Sequence, residues 1–484
     1  MFLKLKKDSF VRVYNNAGYI TNKTTFADRV TDESGAVFLK ALSREPKTLE
    51  EIAKAIATIF VDADITDVKQ DCIDFFGELE KDGFVVSAET LPELEKKDRG
   101  FSYDKLSGVL KSKSFSLSQS EIDTQTYLNS HFQMSPQLMA FHIELTSNCN
   151  ERCVHCYIPH EAKRKDMEPS LFYAVLEQCR EMGVLDMTFS GGEPLLHPNF
   201  CDFLRKAKEY DFSVTVLSNL TLLDENVLSE MKNGRLSSVN VSLYSMNPEI
   251  HDSITQLPGS FEKTKANILK LIDNNIPVQI NCPIMKQNKN CHRDVVLWGQ
   301  GKKCRVLSDF MIMAKYDHTT DNLLHRLSPE EAGEVIRSIA NNDIVYQQRL
   351  LGADFETDYA GSQDIGNDIV CGVCITYLCM TSDGNVYPCP GWQDRFCGNV
   401  KENRLKDIWD NSPQINYLRG LRRKDFPECL DCEDRGFCAL CMGRNANEDT
   451  NGDIFKINEH FCEVAAINRK VALEWREKNQ QNGR

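Results

Sequence analysis

The feature that most constrains this chain is the run Cys149-Asn150-Glu151-Arg152-Cys153-Val154-His155-Cys156, a CxxxCxxC spacing directly after the apolar segment Leu138–Leu145. Soft thiolates on one tight loop hold a metal centre. Zinc sites usually draw four ligands from CxxC pairs, and a simple [4Fe–4S] electron carrier draws four cysteines, so a compact triplet leaves one coordination position for something else. A plant-type ferredoxin has one more residue between its first two cysteines. Nineteen cysteines in 484 residues, without an export signal in Met1–Lys7 or a long apolar stretch, favour metal binding in a cytoplasmic protein over a disulfide framework.

A second feature follows the apolar run Val184–Phe189: Ser190-Gly191-Gly192-Glu193-Pro194. Glycines let backbone approach a ligand closely, and carbonyls and Glu193 can accept hydrogen bonds from an ammonium group. Residues 138–345 alternate strand and helix, with strands expected at 138–145, 184–190, 212–217, 238–243, 277–282 and 306–311. Both motifs end a strand, where barrel folds place their chemistry, and the same rule nominates Ser218, Asn219, Ser242 and Asn281. No general acid or base stands out, and Asp317, His318 and His325 read as solvated loop residues.

The triplet and the GGEP turn together resemble the radical S-adenosylmethionine (SAM) superfamily. The resemblance implies an α/β chain with a partial (β/α)6 TIM-like barrel. Cys149, Cys153 and Cys156 would hold a [4Fe–4S] cluster whose fourth iron chelates SAM, and Ser190, Gly191, Gly192 and Glu193 would meet the methionine amine. The residue before the third cysteine is normally aromatic in that family; here it is His155, compatible with stacking near the adenine. The strand ends at Ser218, Asn219, Ser242 and Asn281 would reach the rest of SAM.

Residues 1–92 predict a small winged-helix-like module. Two strands flank Asn15-Asn16-Ala17 as a hairpin, and a helix runs from about Glu33 to Ser43. A capping box at Thr48–Glu51 opens a second helix, and Ile65, Val68, Cys72, Phe75 and Leu79 stripe a third that Gly83 ends. The order resembles the peptide-recognition element of enzymes that modify ribosomally made peptides, which binds a leader peptide at a sheet edge. The third helix carries Asp67, Asp71, Asp74, Glu78 and Glu80, and the whole chain has net charge -14, so neither nucleic acid nor an anionic membrane is an expected partner. Residues 93–137, centred on Lys111–Ser118, read as a linker or bridging segment.

Residues 346–484 hold a dense second group of cysteines, enough for two further clusters, although count alone does not separate iron–sulfur from zinc. The arrangement resembles the SPASM domain, which carries two auxiliary [4Fe–4S] clusters. By position, one cluster takes Cys429, Cys432, Cys438 and Cys462; the other takes Cys389 and Cys441 with Cys371 and Cys374 as further candidates, while Cys379 and Cys397 compete. The Cys438–Cys441 spacing is CxxC where that family usually has CxxxC.

The three resemblances together imply a radical SAM maturase of a precursor peptide with a leader, using SAM and three [4Fe–4S] clusters and an electron donor such as flavodoxin or ferredoxin. Reductive SAM cleavage would give a 5′-deoxyadenosyl radical that abstracts hydrogen from the peptide. Tyr157-Ile158-Pro159-His160-Glu161 is similar to the segment after the triplet in thioether-forming maturases, which implies a cysteine sulfur-to-carbon crosslink. Carbon–carbon crosslinking and epimerisation are the alternatives within the enzyme class, and a zinc-binding winged-helix regulator is the alternative outside it.

Overall fold

The computed structural model describes residues 1–60, 63–104, 124, 127–128, 131–161, 165–351, 365–438 and 440–481. Lys111–Ser118, the centre of the expected linker, lies outside the described residues.

The first ten elements are β1 (Phe2–Leu5), β2 (Ser9–Tyr14), β3 (Ala17–Asn22), β4 (Ala27–Thr31), α1 (Glu33–Ala41), β5 (Lys47–Thr48), α2 (Leu49–Ala57), α3 (Ile65–Lys81), β6 (Val85–Ala88) and α4 (Leu91–Lys97). The β2–β3 hairpin closes through Asn15 and Asn16 at φ 45° and 69°, the left-handed pair that a two-residue turn needs to match strand twist. Thr48 and Glu51 form the expected capping box of α2. Val68, Cys72, Phe76 and Leu79 turn one face of α3 into the core, with Cys72 fully buried, and Gly83 ends the run at φ 83°. Besides the expected elements, the module holds β1, β4, the short β5 and, after it, α4. β1 lies between β5 and β6, and its pattern is broken by Lys4, a buried ammonium held by Glu95 at 2.6 Å and Asp98 at 3.0 Å. β4 is half-buried at every position, so it shows no alternation. The result is two three-stranded sheets, β2-β3-β4 and β5-β1-β6.

The central layer is a mixed α/β sheet. Strands β7 (Ala140–Thr146), β8 (Asp186–Gly191), β9 (Ser213–Ser218), β10 (Leu236–Ser242), β11 (Val278–Asn281) and β12 (Arg305–Leu307) are parallel neighbours in chain order. The last is shorter than the expected 306–311, because the pairing ends where the Asp309 carboxylate turns to accept the Met311 amide. Phe141, Ile143 and Leu145 of β7 enter the main core under the crossover helices, which by strand alternation leaves His142, Glu144 and Thr146 on the opposite face. β13 (Tyr377–Met380) adds to β7 in parallel, and β14 (Asn385–Tyr387) and β15 (Gly398–Asn399) follow antiparallel, so one nine-stranded sheet crosses into the cysteine-rich region with β12 and β15 at its edges.

The N-terminal module is docked on this sheet. Arg12 Nε donates to Val184 O at 3.0 Å and Tyr14 Oη to Gly183 O at 3.1 Å, and from the segment after the module Tyr103 Oη donates to Ile276 O at 2.6 Å. Phe10, Tyr14, Tyr19, Phe132, Leu185 and Ile375 form one apolar cluster drawn from all four segments of the chain. The C-terminal helix Glu459–Gln481 packs Val464 and Val471 against Val335 and Ile336 of the helix Pro329–Asn342. Among the described residues no helix is long and apolar enough to cross a membrane.

Candidate functional site

A cavity of about 250 Å³ opens at the C-terminal ends of β7 to β11. Cys149, Cys153, Cys156 and His155 line it from the loop after β7, Ser190, Gly191 and Gly192 from the end of β8, and Ser218, Asn219, Ser242 and Asn281 from the next three strands. The sequence-derived set thus converges on one space, with one exception. Glu193 has no exposed surface and lies behind the wall, where its carboxylate accepts from Ser218 Oγ at 2.7 Å, Asn219 N at 2.7 Å and Leu195 N at 3.0 Å. Burial lifts its pKa to about 7, partly offset by those bonds. Glu193 therefore braces the β8 turn against the end of β9.

The two glycines are required by the cysteine loop itself. A Cβ on Gly191, at φ 139°, would lie 2.0 Å from Thr146 O, and one on Gly192 would lie 2.2 Å from Asn148 O. The Gly192 and Glu193 amides donate to Thr146 O and Asn148 O at 2.8 Å each. The GGEP turn is thus bolted backbone to backbone to the start of the triplet.

The thiols are desolvated. Burial raises Cys149 to about 12 and Cys153 well above the usual thiol value, and the neighbouring Cys156 adds to both. Cys153 Sγ donates to Glu151 Oε2 at 3.2 Å and accepts from Tyr244 Oη at 3.8 Å. The His155 ring meets Tyr244 edge-on at 5.1 Å, and burial depresses its pKa to about 4, so the imidazole is neutral. His155 Nδ1 and Glu151 Oε1 are buried with no hydrogen-bond partner. Three clustered thiols, orphaned polar atoms on the same loop and a concave space beside them fit a thiolate-bound cluster with a polar ligand next to it. No three His, Cys, Asp or Glu side chains gather around a single-ion site among the described residues.

Several wall residues escaped the sequence reading. Asn240 lies two positions before Ser242 on β10, so strand alternation could have found it; Tyr244 and Glu151 carried no spacing signal. Asn322 is 2% exposed and donates to His155 O at 3.2 Å, Cys156 O at 3.4 Å and Met313 O at 2.9 Å, clamping the cysteine loop from a distant segment. Behind the wall, His142 bridges Ser190 Oγ to Tyr377 Oη, the latter at 3.0 Å, and so links the β8 turn to the cysteine-rich region. His318, expected in solvent, instead bonds Ala446 O at 3.0 Å and faces Asp394 at 3.4 Å.

The remaining cysteines divide into groups. The thiol of Cys462 is raised to about 11 by desolvation and then by Cys438, Cys429 and Cys432 nearby, and Cys429, Cys438 and Cys462 line one small cavity together with Cys441. Cys389 is raised to about 12 by burial, with Cys441 and Cys371 beside it. Cys374 is fully buried at φ 61°, and its thiol hydrogen-bonds that of Cys397, which raises its pKa. Cys371, Cys389 and Cys441 thus neighbour one another, and Cys374, which also neighbours Cys371, has its thiol hydrogen-bonded to Cys397. Cys379 lies on β13 opposite Tyr387.

Residues 143–298, which include the triplet and the glycine turn, match the radical SAM superfamily; residues 371–433 match the iron–sulfur cluster-binding SPASM domain, and residues 29–85 match coenzyme PQQ synthesis protein D. The chain carries a radical SAM domain, a SPASM domain and a PqqD-like element. The radical SAM and SPASM domains together imply [4Fe–4S] clusters, and the radical SAM domain implies SAM, as cofactors. Among curated relatives, the chain is 26% identical over 333 residues to the AdoMet-dependent heme synthase of Methanosarcina barkeri, covering 64% of this chain and 92% of that protein. It is 27% identical over 322 residues to the antilisterial bacteriocin subtilosin biosynthesis protein AlbA of Bacillus subtilis, covering 63% and 68%. The crystal structure of Streptococcus suis SuiB bound to precursor peptide SuiA superposes with a TM-score of 0.61 over 95% of this chain and 99% of that one; at 15% identity this likeness speaks for the fold.

Proposed function

We propose that the chain is a maturase of a ribosomally made precursor peptide and forms a bond from a cysteine sulfur to a peptide carbon. The β7–β12 sheet is read as the partial (β/α)6 barrel and residues 1–92 as the winged-helix-like leader-binding element, a cytoplasmic assembly with an electron donor such as flavodoxin or ferredoxin. The match to a PqqD-type segment and the SuiB–SuiA fold supports a peptide partner.

Cys149, Cys153 and Cys156 would hold the cluster beside SAM, with Cys429, Cys432, Cys438 and Cys462 holding a second and Cys389, Cys441 and Cys371 a third. Bound there, the cluster and SAM supply one-electron cleavage chemistry and the hydrogen-abstracting radical. The chain's own residues do the positioning. Gly191 and Gly192 fix the cysteine loop against β8, Asn322 ties down its far end, and His155 with Tyr244 closes the wall as neutral rings that keep water out.

One observation carries the sulfur reading over carbon–carbon coupling: Cys371, Cys389 and Cys441 neighbour one another and Cys371 is exposed, while the Cys374 thiol beside Cys371 is taken up by its hydrogen bond to Cys397. A three-thiol set leaves one coordination position, and a substrate cysteine has the chemistry to take it. The test is the mass of a cysteine-containing precursor peptide after anaerobic incubation with enzyme, SAM and reductant. A loss of two hydrogens per site together with loss of one alkylatable thiol is expected; the same mass loss with every thiol still alkylatable would favour a carbon–carbon bond, and deuterium uptake from heavy water at unchanged mass would favour epimerisation.

A further inference from the structure

A second cavity lies away from the cysteine triplet, in the seam between the N-terminal module and the loops that lead into β10 and β11. Its volume is about 540 Å³, a size that suits a ligand segment rather than a single ion. Although the chain carries net charge -14, the lining holds seven Lys or Arg residues against four Asp or Glu.

The positive surplus is built in. Arg12, Arg44 and Arg235 all converge on the single carboxylate of Asp211. Arg44 and Arg235 line the cavity, and Arg44 Nε is buried with no hydrogen-bond partner. Desolvation, and after it the neighbouring Arg235, works against the Arg44 charge. Lys208 has no carboxylate partner among the described residues, and Lys232 bonds only the Asn274 amide oxygen, at 3.2 Å. Lys4 is taken up by Glu95 and Asp98 and Lys23 by Asp186, so the surplus rests on Lys208, Lys232 and the arginine cluster. Three guanidinium groups around one carboxylate, two of them from residues that line the cavity, form a charge excess that a second oxyanion would relieve.

We infer that this seam is an oxyanion-binding site that takes carboxylate side chains of an acidic segment of the peptide substrate. The inference rests on the maturase reading for the identity of the ligand, and on the arginine cluster for its chemistry. A free phosphate or pyrophosphate would satisfy the same donors, so the test separates the two sources.

The experiment is fluorescence anisotropy of the full-length protein with fluorescein-labelled hexaglutamate and hexaglutamine, without SAM. Hexaglutamate is expected to bind, to weaken steeply with salt, to be displaced by pyrophosphate, and to lose about tenfold in affinity in the Lys208→Gln/Lys232→Gln double variant. These two surface lysines make no buried contact, so the double variant should melt as the wild type does and cleave SAM at the same rate. Equal binding of the two peptides, or an unchanged affinity in the double variant, would overturn the inference; pyrophosphate binding without hexaglutamate binding would overturn its peptide source. Failure of the maturase reading would appear separately, as the absence of peptide-dependent SAM cleavage with an unaltered hexaglutamate affinity.

Discussion

Replacing Gly192 by alanine isolates the claim that the glycine turn exists to seat the cysteine loop. The added Cβ would fall 2.2 Å from Asn148 O, 2.5 Å from Asn148 C and 2.9 Å from Cys149 Cβ. The first two of these are backbone atoms, so no rotamer change relieves the clash. Ordinary contact requires the two segments to part by roughly 1 Å. That movement strains the amide bonds from Gly192 and Glu193 to Thr146 O and Asn148 O and shifts Cys149 directly. Overpacking of this kind costs about 1–3 kcal/mol of stability, and a displacement of about 1 Å at a reacting centre costs on the order of 10²-fold in rate. The assay is release of 5′-deoxyadenosine at saturating SAM with dithionite, alongside the SAM dissociation constant. Gly301→Ala is the control, since nothing lies within 4 Å of its Cβ and the helix His292–Gly301 should gain from alanine. Gly192→Ala with turnover within about twofold of wild type would refute the reasoning, because a shift of that size at Cys149 cannot leave the rate unaltered.

His142 supplies a pH test. Its pKa is depressed from 6.5 to about 4 by burial, so the unfolded chain binds the proton first on acidification and stability falls as pH drops from about 6.5 towards 4. At pH 5 the loss from this residue is about 2 kcal/mol, and His142→Asn should reduce the difference between pH 7 and pH 5 denaturation midpoints accordingly; an unchanged difference would contradict a neutral buried His142. Cys371→Ser should lower the iron and sulfide content while Cys374→Ser should not, and the reverse order would mean that Cys374 is the ligand. Asn322→Ala should slow SAM cleavage, because three backbone carbonyls lose their donor, at about 1–3 kcal/mol for a buried group; wild-type rates would show the clamp to be dispensable.

Much of this arrangement is legible in the sequence, for reasons that differ by residue. The strands that carry the site are apolar runs ending in small or polar residues, so their order and their C-terminal ends could be read directly. Hairpin, capping box and the α3 stripe are local patterns and came through for the same reason. Glu193 shows the limit: a carboxylate after two glycines reads as a ligand contact, and only the packing of β8 against β9 reveals that its hydrogen bonds are already filled. Lys4 hid a strand because its charge is neutralised by Glu95 and Asp98, both about ninety residues away. Asn322 and His142 act through contacts with no fixed sequence separation, and Cys374 is taken up by a hydrogen bond to Cys397 that its spacing to Gly384 and Cys389 does not encode.

The most direct measurement is isotope transfer. A uniformly deuterated precursor peptide is incubated anaerobically with the reconstituted protein, SAM and reductant, and the 5′-deoxyadenosine released is analysed by mass. Deuterium in 5′-deoxyadenosine, in proportion to the peptide modified, is the expected result whichever carbon is attacked. Unlabelled 5′-deoxyadenosine beside a modified peptide would contradict the claim that this site draws its hydrogen from a bound peptide.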